Sequence, residues 1–145
     1  MIERYDRSVH EADVLRLGKM MQMESGYGEF VFDGGRLLGF LERSDVYCAL
    51  ARVGGEIIGG IVGCIAPHFF TTTLMAKDMA LYIDPAHRGG SSAVRLVRGF
   101  EQWAKELGAK EVMLGQSTGI EIEKTRRWFE AIGYTVCGFT TRRAV

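Results

Sequence analysis

The chain has 145 residues, of which 47% are hydrophobic and 25% charged, with 18 Lys and Arg balancing 18 Asp and Glu. That length makes one domain, 1–145, with room for a real core, and the balanced charge gives no pull toward nucleic acid or an anionic membrane surface. The opening MIERYDRSVHEAD is charged where a secretory leader is apolar, and no apolar run reaches the ~20 residues that a membrane span needs. Cys48, Cys64 and Cys137 are odd in number, widely spaced and set in apolar runs. They are expected to be buried free thiols of a cytoplasmic protein, and their spacing is not that of a metal site.

In chain order, residues 2–5 form a short first strand. The stretch SVHEADVLRLGKMMQME predicts a helix: Ser8 and Glu11 make a capping box, and Val14, Leu17 and Met21 repeat at helical spacing. After SGYGEFVF, Asp33 caps a second helix carrying Leu37, Leu38 and Leu41. From Val46 the pattern becomes β-rich, and Gly54-Gly55 splits it as a hairpin turn does. A longer strand, LMAKDMALYID, is closed by Pro85. Ala93, Leu96, Val97, Phe100, Trp103, Ala104 and Leu107 then line one face of a helix that Gly108 ends. KEVMLGQS reads as a strand, IEKTRRWFEAIG as a short helix and YTVCGFTTRR as a last strand. Antiparallel strands followed by a strand–helix–strand crossover make an α/β layered protein with a mixed, mostly antiparallel sheet and about four helices.

The stretch YIDPAHRGGSSAVRLVRGF, residues 82–100, holds the first chemical signal. A strand ends in Asp-Pro, and a basic, glycine-rich turn without a carboxylate leads into a helix. The first turn of a helix has unpaired N–H groups and a partial positive charge, so an anion such as a diphosphate fits there, with Arg88 adding a charge-assisted contact. Gly-Gly-Ser-Ser is equally a plain way to begin a helix. On the residues alone both readings stand.

Arg88-Gly89-Gly90-Ser91-Ser92-Ala93 resembles the signature of the GCN5-related N-acetyltransferase (GNAT) family at a strand-to-helix junction, with Ser91 where glycine is usual. The lead-in LYIDPAHRGG and the later RRWFEAIGYTVCG resemble two further landmarks of that family in the expected order, closest to compact bacterial or phage-encoded members. The resemblance implies a GNAT-like three-layer fold and an acetyl-CoA-dependent N-acetyltransferase, with acetyl-CoA as co-substrate and no metal. It implies that the amides of Arg88, Gly89, Gly90, Ser91, Ser92 and Ala93 hold the diphosphate. It also implies that the strand ahead of the turn splays from KEVMLGQS, so that Met79, Leu81 and Ile83 offer backbone contacts to the pantetheine arm.

The reaction needs a neutral amine, orientation and a proton for the departing thiolate. Strand alternation puts Asp78, Ala80 and Tyr82 on one face, opposite Lys77, Met79, Leu81 and Ile83. Asp78 is therefore the candidate base or cation anchor, against the plainer reading of a solvated charge beside Lys77. Where the family often has a tyrosine as general acid the chain has Phe129, and Ile122 stands where an asparagine is frequent. Either Ser117, Thr118 or water then serves the leaving group or a different tyrosine does, and Tyr134 packs. Glu24 and Tyr27 between the first two helices, and His68 and Phe69 between strands, are candidate contacts for a small-molecule or peptide amine. A homodimer through the last strand and the Phe69 loop is expected. Two further readings are a non-catalytic acyl-CoA-binding module and an acyltransferase for another acyl group or a hydroxyl acceptor.

Overall fold

The computed structural model describes residues 1–145. Its elements run β1 (Ile2–Arg4), α1 (Arg7–Glu24), α2 (Gly34–Leu41), β2 (Val46–Val53), β3 (Glu56–Pro67), β4 (Leu74–Ile83), a 3-10 turn (Pro85–His87), α3 (Ser92–Glu106), β5 (Glu111–Met113) and α4 (Ile122–Ala131). One five-stranded sheet takes the order β1-β2-β3-β4-β5, antiparallel except for the parallel β4–β5 pair. This is the three-layer α/β arrangement of the GNAT fold.

Local chemistry explains the ends of the elements. Asp6 caps α1 by accepting from the Ser8 amide at 2.9 Å, so the capping box read at Ser8 and Glu11 lies two residues too late. Glu11 instead accepts from Arg7. Asp33 caps α2 as expected, accepting from the Arg36 amide at 2.9 Å. Gly54 and Gly55 both have positive φ, which a two-residue hairpin turn between right-twisted strands requires.

Two hydrophobic layers sandwich the sheet. On one face Val14 and Leu17 of α1 and Leu38 and Leu41 of α2 pack against Cys48, Leu50, Ile57 and Tyr82. On the other, Leu96, Val97, Phe100 and Ala104 of α3 pack on Tyr47, Ile61, Ala76 and Ile83, with Trp128 and Ile132 at the edge. Phe100 is fully buried. A Cβ on Gly63 would run into its ring and sit 2.9 Å from the Lys77 carbonyl, so only glycine lets α3 lie this close to β3.

Gly63 also sits at the irregularity that shapes β4. Val62 pairs with Ala80 and Gly63 with Asp78, leaving Met79 as an extra residue on β4. This bulge resets the alternation. Ahead of it Ala76 faces α3; beyond it Leu81 and Ile83 do so, while Tyr82 faces α1. Asp78, opposite Gly63, shares the α3 face with Leu81, so the face assigned by simple period-two counting is corrected.

The last strand does not form. Residues 134–145 enter no ladder, and β5 pairs over only three residues, all on its β4 side. Val136 and Phe139 are exposed, and Cys137 is exposed rather than buried. Cys64 is half-buried, and only Cys48 is a core thiol, burial pushing its pKa up to about 12. No helix is long and apolar enough to cross a membrane.

Candidate active site

β4 and β5 pair only at Met75, Ala76 and Lys77, while β4 runs on to Ile83. The strands therefore part at Asp78. The Asp84 amide donates to the Ile58 carbonyl of β3, so by alternation the backbone of Leu81 and Ile83 points the other way, to the unpaired edge. A cavity of about 310 Å³ fills the split, walled by Leu81 and Ile83, by Gly89, Gly90, Ser92 and Ala93 at the start of α3, and by Trp128 and Phe129 of α4.

The turn at the far end has the geometry of an anion cradle. Gly89 has φ +92°, which lets the chain reverse into α3. No side chain caps α3, and no backbone acceptor outside the helix takes the amides of residues 89–93. His87 lines the same cavity with a buried Nδ1 that has no partner. Together with an open strand edge, these unmet donors suit a long ligand with an anionic end.

Arg88 is not free to complete that cradle. Its guanidinium makes two 2.7 Å bonds to the Glu24 carboxylate, and its Nε donates to the Ile83 carbonyl at 2.9 Å. Tyr82 donates to the same carboxylate at 2.8 Å. Glu24, expected as an acceptor contact, is thus neutralised by Arg88 and joins the end of α1 to the turn after β4. The Arg88 hydrogen bonds hold the Glu24 carboxyl below its ordinary range. Because this pKa is lowered on folding, the stabilisation is present above the unfolded value and is lost as pH falls through the folded one. Arg88→Ala is expected to cost about 1 kcal/mol near neutrality, a modest loss because the pair is partly exposed. Denaturant melts should show that difference shrinking in acid; a difference independent of pH would count against the pair.

At the apex of the split, the Asp78 carboxylate accepts from the Gly115 amide at 2.9 Å, bridging β4 to the chain that leaves β5. Burial pushes its carboxyl up to about 6, against the smaller opposing pull of the Gly115 bond and Lys77. Gly115 lines the cavity beside it.

Other expected residues fall elsewhere. Leu81 and Ile83 line the cavity, but Met79, the bulge residue, does not and is largely exposed; nor do Ser91 and Asp78, the latter standing behind Gly115 at the cavity's edge. Ser117 is exposed and borders not the larger cavity but an adjoining space of about 180 Å³, with Tyr27 and Arg142. The Ser117 carbonyl accepts from the Tyr27 hydroxyl at 3.2 Å. His68 and Phe69 sit at the β3–β4 hairpin tip and border neither space; Phe69 is 95% exposed. Tyr134 packs against the α3 core and donates to Glu101 at 2.9 Å, as its expected packing role requires. Sequence reading missed Gln116, Lys124 and Thr125, which line the main cavity. Thr125 lies one helical turn before Phe129 and was legible as the polar member of that face.

Residues 17–134 match the acetyltransferase (GNAT) family. No curated protein matches the chain. Among solved structures, a transcriptional regulator from Bacillus halodurans C-125 superposes with a TM-score of 0.79 at 16% identity, covering 100% of this chain and 99% of that one. An aminoglycoside acetyltransferase from an uncultured soil metagenomic sample, solved with trehalose, gives 0.78 at 16% identity and covers 100% and 94%. A ribosomal-protein-alanine N-acetyltransferase from Brucella melitensis biovar Abortus 2308 gives 0.77 at 17% identity and covers 99% of each. At such identities the superpositions speak for the fold. The family match spans the split strands, the turn after β4 and α4, and the chain accordingly belongs to the acetyltransferase (GNAT) family, whose reaction is acyl transfer from a coenzyme A thioester.

Proposed function

We propose that the protein moves the acetyl group of acetyl-CoA to a primary amine by direct attack within a ternary complex. The observation that carries this reading is the parting of β4 and β5 at Asp78, with a desolvated carboxylate at the apex and unmet amides at the far end. In the proposed complex the amides of residues 89–93 hold the diphosphate, and the unpaired backbone of Leu81 and the Ile83 amide order the pantetheine arm. When bound, the thioester supplies an activated acyl carbon and a sulfur leaving group.

Asp78 takes the proton of the incoming ammonium, directly or through one water. A carboxyl near 6 is ionised at neutral pH yet basic enough to be useful there. The amine nitrogen then bonds to the acyl carbon as the carbon–sulfur bond breaks; the nitrogen gives its second proton to water, the sulfur takes one from solvent, and Asp78 releases its proton to solvent before the next turnover. Thr118, the leaving-group candidate of the sequence, and Thr125 both line the cavity, and in this reading one of these hydroxyls donates a hydrogen bond to that sulfur, since Phe129 has no proton to give. Phe129→Tyr is expected to be tolerated and to raise turnover; a fall in kcat with unchanged CoA binding would show that the ring position serves packing alone.

The absence of an acid at Phe129 also favours a second reading, a domain that binds acyl-CoA without turnover. Thiol release from acetyl-CoA across a panel of amines separates the two. A catalyst releases thiol only with amine, whereas a binding module gains thermal protection without release. The fully exposed Phe69 and its neighbour Phe70, in edge-to-face contact, support a homodimer through the β3–β4 hairpin tip. Sedimentation finding only 16.1 kDa species at tens of micromolar would remove that part of the proposal.

A further inference from the structure

The smaller cavity, about 180 Å³, is lined by Tyr27, by Ser117 and Gly119 of the loop after β5, and by Thr140, Thr141 and Arg142 of the terminal segment. Gln116 lines both this space and the larger one, so the two share a wall. The wall is held in shape by Gln116, which donates to the Ile120 carbonyl and accepts from the Gly119 amide. The end of α1 is fastened to it as well, through the Gly26 amide on the Thr118 carbonyl at 3.0 Å and the Tyr27 hydroxyl on Ser117.

The charge in this space has one sign. Arg142 is its only ionic lining residue. It takes part in none of the ion pairs of the chain. It lies 4.7 Å over the Tyr27 ring and makes one 3.3 Å bond, to the Gly26 carbonyl. A guanidinium has five N–H donors, so most of them have no protein acceptor. Gly26 is part of the seat: a Cβ there would collide with the Arg142 guanidinium. The larger cavity offers no free carboxylate in compensation. Glu121, its only acidic lining residue, pairs with Lys124 at 3.4 Å, and Glu24 is held by Arg88.

From this arrangement we infer that the acceptor is an amine that also carries a carboxylate, and that Arg142, stacked on Tyr27, receives the carboxylate. The inference rests on the amine-transfer reading above and gives its acceptor a chemical class. An arginine fork on an aromatic face binds a carboxylate with two parallel hydrogen bonds, whereas the further charges of a polycationic amine would meet like charge and no acidic partner beyond Asp78. The carboxylate can belong to a free amino acid or to the C-terminus of a short peptide, and both enter the test.

Thiol release is measured with ω-amino acids of two to eight carbons, the alkylamines and diamines of the same lengths, and short peptides. For at least one length or peptide, kcat/KM should exceed that of the matching alkylamine and diamine by at least ~10-fold, the scale of a charge-assisted bidentate contact. Arg142→Ala should abolish that preference, and Gly26→Ala, which displaces the guanidinium without removing it, should weaken it. Neither change should alter the thermal shift given by CoA alone. Diamines or plain amines matching the amino acids at every length would overturn the inference and leave the amine-transfer reading standing, as would an unchanged preference in Arg142→Ala. If no amine releases thiol, the amine-transfer reading fails. The carboxylate site then survives only if an amino acid or peptide raises the thermal midpoint of the CoA-bound protein and not that of Arg142→Ala, and absence of that shift overturns both.

Discussion

In Asp78→Asn, kcat/KM on the true acceptor is expected to fall at least ~10-fold while the folded protein becomes more stable at neutral pH. The two effects have one cause. Burial at the apex of the split raises the carboxyl from 3.8 to about 6, because the ionised form has lost water, and the Gly115 amide, the charge of Lys77 and its own backbone amide offset that loss only in part. At ~1.36 kcal/mol per pKa unit, holding the ionised form there costs about 3 kcal/mol. A carboxyl raised on folding contributes stability that is full below the unfolded value and lost as pH rises through the folded one. The wild type should therefore lose stability between about pH 4 and pH 6, whereas the asparagine variant, which can still accept from Gly115, should not. Urea melts across that range, beside initial rates at about pH 7, read both effects. Wild-type turnover would make Asp78 a structural joint only, and a wild-type pH profile in the variant would contradict the desolvated carboxyl itself.

The second large effect is expected at the start of α3. Ser92 lines the cavity beside the unmet amides and does not cap the helix. Ser92→Asp puts a carboxylate where the diphosphate of CoA is expected. Apposed like charges cost several kcal/mol, so CoA binding should weaken more than ~100-fold. The same carboxylate complements the helix dipole and should leave the unliganded protein as stable as before or better by ~0.3–1 kcal/mol. Ser92→Ala should bind CoA nearly as well as the wild type, because the amide rather than the hydroxyl makes the contact. Calorimetric titration with CoA distinguishes the three proteins. Equal affinity in all of them would move the anion away from α3.

Much of this architecture was legible because it is local. The Asp33 cap, the Gly54-Gly55 turn, the apolar stripe of α3 and the Asp-Pro stop after β4 each follow from a few neighbouring residues. What failed was non-local. Nothing in AKDMALY marks Met79 as an extra residue; the bulge lies against Gly63 of the neighbouring strand, where a side chain would meet Phe100. It turned Asp78 to the other face while leaving its place at the split intact. YTVCGFTT has the composition of a strand, but a strand needs a partner, and β5 pairs only with β4. Glu24 and Arg88, each assigned a ligand from its own surroundings, lie 64 residues apart in sequence and meet each other. Arg142 carried no motif, and only the fold brings it onto Tyr27.

The central claim is that the split between β4 and β5 and the turn that follows are the coenzyme A site. Amide hydrogen exchange with and without saturating CoA tests it most directly. Slowed exchange is predicted at residues 89–93 and at Leu81 and Ile83, with the hairpin tip around Phe69 unchanged. Saturated protein whose protection lies elsewhere, with residues 81–93 exchanging as in the free form, would contradict it.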